Sequence, residues 1–303
     1  MYDVIIVGAG PAGLTAGLYS ARYGLETLLL ESQTLFSQAI TTAHIENYPG
    51  FPEGLSGFEL IDRMKNQAKV FGLNLALGNV RALLRQKEGW VVSLEDKSYE
   101  SLTIIVATGA SPKKLGVPGE SEFCGRGVSY CATCDGPLFY GKEIAVVGGG
   151  DTALEEAIFL TKFASKVSII HRRNKLRATK LLQERAFSNE RIEFVWDSQV
   201  IEIFGKDGIE GVRIKNLKTQ QGSNFSCGGV FIFVGLTPNT YFLKGIVELD
   251  KAGYIITDDE MKTSLDGIFS AGDCRKKDFR QIVTAAGDGA IAAFSAQKYI
   301  QIN

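Results

Sequence analysis

The sequence is poor in several features on which other classes of protein depend. Its 303 residues include two histidines, His44 and His171, which leaves little room for a histidine-rich metal site or a Ser-His-Asp triad. No apolar run reaches the roughly 20 residues that cross a bilayer, and the N-terminus lacks the pattern of a signal peptide. The formal net charge of −1 provides no basic excess, so neither a nucleic-acid nor a membrane partner is predicted.

Cysteines are few as well. Five of them, an odd number, do not suit the disulfide framework of a small secreted protein, so the composition predicts a cytoplasmic protein with one working pair. We interpret Cys124, Cys227 and Cys274 as bystanders, with Cys274 accessible to oxidants because it follows a suspected cofactor turn. His44 is interpreted as a polar or surface residue rather than a catalyst.

A glycine-rich turn follows the first predicted strand, residues 2–7. The turn Gly8-x-Gly10-x-x-Gly13 leads into a helix predicted from about Pro11 to Tyr23, and a second strand at residues 27–30 ends at Glu31. In a βαβ unit such glycines let backbone N–H groups approach a pyrophosphate, and a carboxylate about 20 residues further on accepts from a ribose hydroxyl. The alternative is an ordinary strand–loop–helix turn with incidental glycines.

The same pattern restarts at residue 143. A strand is predicted at Glu143–Val147, then the turn Gly148-x-Gly150-x-x-Ala153, a helix from about Thr152 to Phe163 and a strand at Val167–Ile170. This duplication of a whole unit predicts a second dinucleotide-binding domain.

The second unit differs from the first at the end of its second strand. Where the first has a carboxylate, the second has His171-Arg172-Arg173, with Arg177 one helical turn further on. Arginines at this place favour a 2′-phosphate, and therefore NADPH over NADH. The alternative is a solvated basic patch.

Further strands are predicted at Trp90–Leu94 and Leu102–Val106, and Gly267–Asp273 is another strand-to-turn segment. Segments 112–118 and 235–239 are interpreted as crossings between domains. We therefore predict an α/β protein of two Rossmann-like domains, the first made of residues 1–114 and 236–303, with the second inserted at 115–235.

Between the two glycine motifs lies Cys131-Ala132-Thr133-Cys134-Asp135. A Cys-x-x-Cys pair closes a small redox-active disulfide, and Asp135 is placed to give a proton to a leaving thiolate. Zinc would need a second pair, and Cys124 and Cys227 are not spaced as one, so no metal site is predicted. An unreactive structural pair is the other alternative.

Together these segments resemble the low-molecular-weight, NADPH-dependent flavoprotein thioredoxin reductases. The resemblance spans nearly the whole chain, and Cys-Ala-Thr-Cys-Asp is its most specific part. The matching segments are Asp3–Leu30, Ile45–Pro52, Ala107–Ala110, Cys131–Gly136, Gly148–Glu156, His171–Ala178, Gly235–Thr240, Ala271–Asp273 and Arg280–Gly289.

The resemblance implies the architecture of class II pyridine nucleotide-disulfide oxidoreductases, with FAD in the first domain and NADPH in the inserted one. It implies FAD contacts at Gly8, Gly10, Pro11, Ala12, Gly13, Glu31, Gln38, Thr42, Asn47, Val80, Ala107, Thr108, Gly109, Asp273, Arg280, Gln281 and Ile282. It implies NADPH contacts at Gly148, Gly150, Asp151, Thr152, Ala153, Glu156, His171, Arg172, Arg173, Arg177 and Gly235.

The implied activity passes electrons from NADPH through FAD and the Cys131–Cys134 disulfide to the disulfide of thioredoxin. Cys134 is expected nearest the flavin, Cys131 is expected to attack thioredoxin, and Asp135 is expected to supply or accept the proton. The resemblance also implies a homodimer in which the inserted domain rotates against the FAD domain.

One segment departs from the family. Where its members usually have Gly-Gly-Gln, this chain has Phe36-Ser37-Gln38, which adds bulk and removes two residues that reach positive φ. Two rival functions stay open: a related enzyme with another donor such as reduced ferredoxin, and a redox sensor that does not turn over. A third rival, a ferredoxin–NADP reductase of similar architecture, lacks the dithiol, so Cys131 and Cys134 argue against it.

Overall fold

The structure is a computed structural model that describes residues 1–33, 37–42 and 45–302. It divides into two compact units: unit 1 is Met1–Ser111 with Thr237–Asn303, and unit 2 is Pro112–Leu236. The chain thus leaves unit 1 once, builds unit 2 from one continuous segment, and returns.

The strands are numbered in chain order through both units. Up to the first crossing they are Tyr2–Val7 (β1), Thr27–Glu31 (β2), Asn74–Leu77 (β3), Ala82–Arg85 (β4), Trp90–Ser93 (β5), Ser98–Val106 (β6) and Ala110–Pro112 (β7). From there to the second crossing they are Val128–Ser129 (β8), Glu143–Gly148 (β9), Lys166–Ile170 (β10), Ile192–Val195 (β11), Ser198–Gly205 (β12), Ile209–Asn216 (β13), Gly222–Ser226 (β14), Val230–Phe233 (β15) and Leu236–Pro238 (β16). The last strand is Ile268–Ser270 (β17).

The helices are Pro11–Arg22 (α1), Gly57–Val70 (α2), Ala132–Asp135 (α3), Asp151–Leu160 (α4), Lys180–Phe187 (α5) and Ile282–Ile302 (α6). Short 3-10 helices lie at Gln38–Thr41, Gly136–Phe139, Tyr241–Leu243 and Gly272–Cys274. In the described part of the chain, no helix combines the length and the apolar character that a membrane crossing requires.

The sheet of unit 1 runs in the order β3-β2-β1-β6-β5-β4, and β17 also pairs with β6. β1 pairs in parallel with both β2 and β6, and Val4 to Val7 are buried because Val4 and Ile6 pack in a core on one face of the sheet and Ile5 and Val7 in a core on the other. A strand covered on both faces in this way reads as a continuous apolar run, which is why the sequence reveals it. The carboxyl ends of β1, β2, β6 and β17 consequently meet at one edge of the sheet.

Unit 2 repeats this arrangement with a parallel sheet in the order β11-β10-β9-β15-β8. An antiparallel sheet, β12-β13-β14, follows in the chain. The prediction of an α/β fold with two Rossmann-like units is confirmed.

The helix after the second glycine turn ends earlier than the sequence pattern predicts, at Leu160 rather than Phe163. The backbone N–H groups of Thr161, Lys162 and Phe163 bond three residues back, to Ile158, Phe159 and Leu160. The Thr161 hydroxyl also donates to Ile158 O at 2.7 Å. The apolar pattern therefore continues through a tightened final turn that is no longer α-helical.

Candidate functional site

Cys131 and Cys134 form a disulfide, as predicted, with their Cα atoms 5.4 Å apart. Cys131 precedes α3, and its Sγ accepts the backbone N–H of Cys134 at 3.1 Å. Cys131 is half-buried and Cys134 is exposed. Ala132 between them is buried in a cluster with Phe139 and Ile144, so the turn is seated in the core of unit 2 while it presents its sulfurs.

Asp135 is the last residue of α3 and is half-buried. Its backbone N–H donates to Cys131 O at 3.2 Å, which ties it to the first cysteine. Thr133 Oγ1 is buried and has no hydrogen-bond partner in the described residues.

The glycine turn of unit 2 connects β9 to α4. Gly150 is the N-cap of α4 in an extended conformation, and a Cβ there would meet no atom within 4 Å. A Cβ on Gly149, by contrast, would lie 2.4 Å from His171 Nδ1. Space is thus left open at the helix N-terminus, where a pyrophosphate binds in Rossmann folds, while the neighbouring glycine is required by protein packing.

The segment after β10 is held against this glycine turn by two hydrogen bonds from its backbone N–H groups, one to a backbone oxygen and one to a side chain. Arg177 N donates to Gly149 O at 2.8 Å, and Thr179 N donates to Asp151 Oδ1 at 2.6 Å. The His171 ring is buried beneath the segment, where burial lowers its pKa and the arginines at 177 and 172 act in the same direction. The sequence pattern that marks His171 as a nucleotide contact therefore falls on a side chain that packs inside the protein.

The three arginines of this segment point outward. Arg172, Arg173 and Arg177 are all exposed, and within the described residues none of them forms an ion pair with a carboxylate. Three unpaired guanidinium groups beside a Rossmann glycine turn are suited to bind a phosphate group.

Of the other residues implied for this nucleotide, Thr152 and Ala153 lie in the first turn of α4, and Gly148 ends β9. Glu156 is in the middle of α4, where burial, with Glu155 in second place, raises the pKa of its carboxyl to about 7. Gly235 lies in the second crossing with φ of 121°, and its carbonyl accepts from Lys113 N at 2.9 Å.

The glycine turn of unit 1 connects β1 to α1. Gly8 has φ of 113°, and a Cβ there would lie 2.3 Å from Ala107 O, so the backbones of the two loops touch. Gly10 is the N-cap of α1, Pro11 starts the helix, and no acidic residue occupies its first turn. This leaves the helix N-terminus free of competing negative charge, as a bound pyrophosphate requires.

The other residues implied for FAD gather at the same edge. Glu31 ends β2 and pairs with Lys65 at 2.6 Å. Asn47 Nδ2 donates to Gln281 Oε1 at 3.0 Å, which brings together residues that are far apart in the chain. Ala12 and Gly13 lie in the first turn of α1. The remaining members lie near the ends of other elements: Gln38 in the 3-10 turn after β2 and Thr42 just after that turn, Val80 after β3, Thr108 and Gly109 after β6, Arg280 just before α6, and Ile282 as its first residue.

Asp273 lies in the turn Gly272–Cys274, which follows β17. Burial raises the pKa of its carboxyl, opposed by Lys277 and Arg280. Asp273 Oδ1 and Arg280 Nε are buried side-chain atoms that lack a hydrogen-bond partner in the described residues. Polar atoms of this kind require a partner, so an unfilled donor and acceptor at this edge fit a polar cofactor.

A buried cluster supports this turn. The carboxylate of Asp288, on α6, accepts from Gly272 N at 3.0 Å, Arg275 Nε at 2.9 Å and Lys277 Nζ at 2.8 Å. Burial acts to raise the pKa of Asp288, but the hydrogen bonds from Arg275 and Lys277 outweigh it and the pKa is lowered. The sequence pattern does not reveal Asp288, because nothing in its Gly-Asp-Gly context marks it as buried.

Two residues of the sequence analysis, Phe36 and His44, lie outside the described residues. Ser37 is described, and its φ of −60° is a conformation that any residue adopts. The replacement of glycine by serine therefore causes no backbone strain at this position.

The three remaining cysteines are free thiols. Cys124 is exposed, and burial raises the pKa of Cys227 to about 12. The prediction that Cys274 is accessible is wrong, because it is 0% exposed and its sulfur lies 3.4 Å from Ser270 Oγ and 3.5 Å from Val106 O. Burial also raises the pKa of this thiol, which reduces its reactivity further.

Two Rossmann-like units and a Cys-x-x-Cys disulfide define the class: residues 2–289 match the family model of pyridine nucleotide-disulphide oxidoreductases. The chain is 50% identical to the thioredoxin reductase of Listeria innocua, covering 99% of this chain and 94% of that protein. It is 49% identical to the thioredoxin reductase of Bacillus subtilis, with 99% and 95% covered. The crystal structure of Lactococcus lactis thioredoxin reductase superposes with a TM-score of 0.97 at 48% identity, with both chains fully covered.

The chain belongs to the thioredoxin reductase family of pyridine nucleotide-disulphide oxidoreductases. It is therefore an oxidoreductase, and its family uses FAD and NADPH. The resemblance found in the sequence is confirmed.

Proposed function

We propose that this chain reduces the disulfide of thioredoxin with electrons from NADPH, by way of FAD and the Cys131–Cys134 pair. The observation that carries the proposal is the disulfide itself: it is closed, half-exposed and seated on the core of a unit that also holds an arginine-lined nucleotide turn. A disulfide in such a position is available for exchange with the disulfide of another protein.

FAD belongs to unit 1 in this proposal. Its pyrophosphate would lie at the N-terminus of α1, with Glu31 at a ribose and with Asp273 and Arg280 supplying the buried polar atoms that lack a hydrogen bond in the described residues. The chemistry that bound FAD supplies is two-electron transfer between a nicotinamide and a disulfide. The remaining members of the proposed set are Gly8, Gly10, Pro11, Ala12, Gly13, Gln38, Thr42, Asn47, Val80, Ala107, Thr108, Gly109, Gln281 and Ile282.

NADPH belongs to unit 2. Arg172, Arg173 and Arg177 would bind its 2′-phosphate, and the open backbone at Gly150 would receive its pyrophosphate. This arginine set is what favours NADPH over another donor such as reduced ferredoxin. Further contacts are proposed at Gly148, Asp151, Thr152, Ala153, Glu156 and Gly235. The buried His171 is proposed to support, from inside the protein, the segment that carries the arginines.

The cysteines carry out the exchange with thioredoxin once they are reduced. The Cys131 thiolate attacks one sulfur of the partner disulfide, the partner S–S bond breaks, and its leaving thiolate takes up a proton. The Cys134 thiolate then attacks Cys131 Sγ, which re-forms the internal disulfide and releases the second partner thiolate. Asp135 is the proposed proton donor and acceptor, because it follows Cys134 directly. The partner gains two electrons and two protons.

Two further proposals concern the protein in the cell. We infer a homodimer, since one face of α6 leaves apolar side chains exposed, and a cytoplasmic location, where the three free thiols stay reduced.

Cys131→Ser and Cys134→Ser test the proposed function. Each variant should lose at least about a thousandfold of thioredoxin-reducing turnover, since removal of a nucleophile in a concerted set costs that much or more. Each should still bind FAD, as judged by flavin absorbance after gel filtration. Cys124→Ser is the matched control and should turn over like the wild type. Near-normal turnover of either serine variant at 131 or 134 would refute the proposal.

A further inference from the structure

A single buried carboxylate fastens the segment that enters the disulfide turn. Glu120 is 2% exposed, and its Oε1 accepts the phenol hydroxyl of Tyr130 at 2.6 Å. The same carboxylate accepts the backbone N–H groups of Leu115 at 2.8 Å and Gly116 at 2.6 Å. Burial acts to raise the pKa of Glu120, but these donors outweigh it and the pKa is lowered. Glu120 is therefore charged, buried and satisfied by hydrogen bonds.

Tyr130 is the residue immediately before Cys131, at the place where the sheet stops. β8 ends at Ser129 and pairs with β15 over two residues only. The Ser129 hydroxyl accepts from Cys131 N at 3.0 Å and donates to Cys131 O at 3.1 Å, but these bonds join neighbours and move with them. The phenol bond to Glu120 ties this part of the chain to a segment ten residues earlier.

The other end of the disulfide turn is held by apolar packing. A Cβ on Gly136 would lie 3.2 Å from both Leu160 and Phe163, so the backbone rests directly on the end of α4. Phe139, three residues further on, is buried. The turn is thus clamped on both sides, by apolar contact after Cys134 and by the phenol–carboxylate bond before Cys131.

We propose that Tyr130 and Glu120 are positioning residues that set the reduction potential of the Cys131–Cys134 pair. The phenol bond holds the backbone at Cys131 where its sulfur reaches Cys134. Two thiols held in this way close more readily than two on a mobile loop, because the conformational freedom lost on closure is already restricted. The proposal rests on the proposed role of the two cysteines as the redox pair.

Tyr130→Phe tests the proposal, because it removes the donor and keeps the ring. The FAD-loaded protein is equilibrated with defined ratios of reduced and oxidised dithiothreitol, quenched with acid, alkylated, and the thiols at 131 and 134 are counted by peptide mass. Closing the disulfide removes two electrons and two protons, which pass to oxidised dithiothreitol. We expect the equilibrium constant for closure to fall about tenfold, which is about 30 mV toward a more oxidising potential.

Tyr241→Phe is the matched control, since it removes an exposed phenol from unit 1 and should leave the equilibrium unchanged. Glu120→Gln provides a second variant, because one amide oxygen cannot accept from all the donors that the carboxylate serves. It should shift the equilibrium in the same direction, and the double variant Tyr130→Phe/Glu120→Gln should shift it no further than the larger single change.

Three results would overturn the proposal: an equilibrium constant of Tyr130→Phe within twofold of the wild type, an equal shift in Tyr241→Phe, or additive shifts in the double variant. A lowered melting temperature without a shifted equilibrium also counts against it. Failure of the proposed function looks different, because the wild-type protein would then fail to reduce thioredoxin even after its Cys131–Cys134 pair has been reduced.

Discussion

Because Gly149 has no Cβ, the glycine turn of unit 2 can pack directly against the His171 ring. The next residue, Gly150, faces open space instead. The two glycines look equivalent in the sequence motif, yet one serves protein packing and the other leaves room for a ligand. A substitution at Gly149 should therefore reduce the stability of the fold, whereas a substitution at Gly150 should weaken the binding of a nucleotide.

Gly149→Ala should lower the free energy of unfolding by roughly 1–3 kcal/mol, the usual cost of overpacking, as measured by urea denaturation. Gly150→Ala should cost no more than about 1 kcal/mol, the usual effect of alanine at a helix N-cap, because its Cβ meets no protein atom. The same Gly150→Ala protein should bind NADPH about tenfold more weakly, since a steric cost of about 1.4 kcal/mol gives that factor. Equal stability losses in the two variants would contradict this assignment.

The arginines beyond β10 provide a prediction about donor choice. Arg173→Gln or Arg177→Gln removes a charge-assisted hydrogen bond worth about 1.5–3 kcal/mol, so the Kd for NADPH should rise roughly tenfold or more while that for NADH is unchanged. Lys206→Gln, an exposed charge elsewhere in unit 2, is the control. Parallel weakening for both nucleotides would show that these arginines do not bind the 2′-phosphate.

Single residues differ in how far the sequence reveals them. Cys131 and Cys134 are close in the sequence, and their disulfide joins residues three apart. The Cys-x-x-Cys motif was therefore enough to predict the disulfide. Glu120 and Tyr130 meet through a fold that brings a loop against a strand end, and no local pattern indicates it. The error at Cys274 has the same origin, because residues distant in the chain bury its thiol.

At the scale of elements, the turn Gly272–Cys274 depends on the helix α6 that lies after it in the chain. Asp288 joins them by accepting from Gly272 N and from two cations, Arg275 and Lys277. The cluster thus fixes the backbone of the turn that carries Asp273. The pKa of Asp288 is lowered in the folded protein, below its value of about 4 in the unfolded chain.

Asp288→Asn should reduce the free energy of unfolding of the apoprotein by roughly 3 kcal/mol at pH 7, because two buried cations lose their counterion. The sign of the pH dependence follows from the lowered pKa. The contribution of Asp288 is fully present above about pH 4 and is lost as the pH falls through the folded pKa. Urea midpoints at pH 7 and below pH 4 should therefore differ more for the wild type than for the variant. An equal difference would contradict the role given to Asp288.

The buried parallel strands were the most predictable elements. β1 was predicted with its observed bounds and β2 within one residue, because strands covered on both faces are continuous apolar runs. The sheet β12-β13-β14 was not predicted, since its burial alternates and its register includes bulges. α4 was predicted three residues too long, because an apolar pattern does not distinguish an α-helix from a final 3-10 turn.

At the scale of the whole molecule, α6 exposes a stripe of apolar side chains at helical spacing. Val283, Ile291 and Phe294 lie on one face, and Phe294 is 53% exposed. An exposed apolar face of this kind marks an interface, and the proposed partner is a second copy of the chain.

Phe294→Glu should convert the proposed homodimer into a monomer, because a charge would be buried without a partner at the interface. Light scattering after gel filtration measures the mass directly. Leu181→Glu, an equally exposed apolar residue on α5 in unit 2, should leave the mass unchanged. A Phe294→Glu protein that keeps the mass of a dimer would show that the interface lies elsewhere.

In the proposed function, donor, flavin and disulfide form one chain of electron transfer. An anaerobic titration of the FAD-loaded protein with NADPH tests it most directly, with flavin absorbance and thiol content followed together. We expect uptake of about two hydride equivalents per subunit, one for FAD and one that opens the Cys131–Cys134 disulfide. A flavin that dithionite bleaches and NADPH does not, or a disulfide that stays closed after the flavin is reduced, would contradict it.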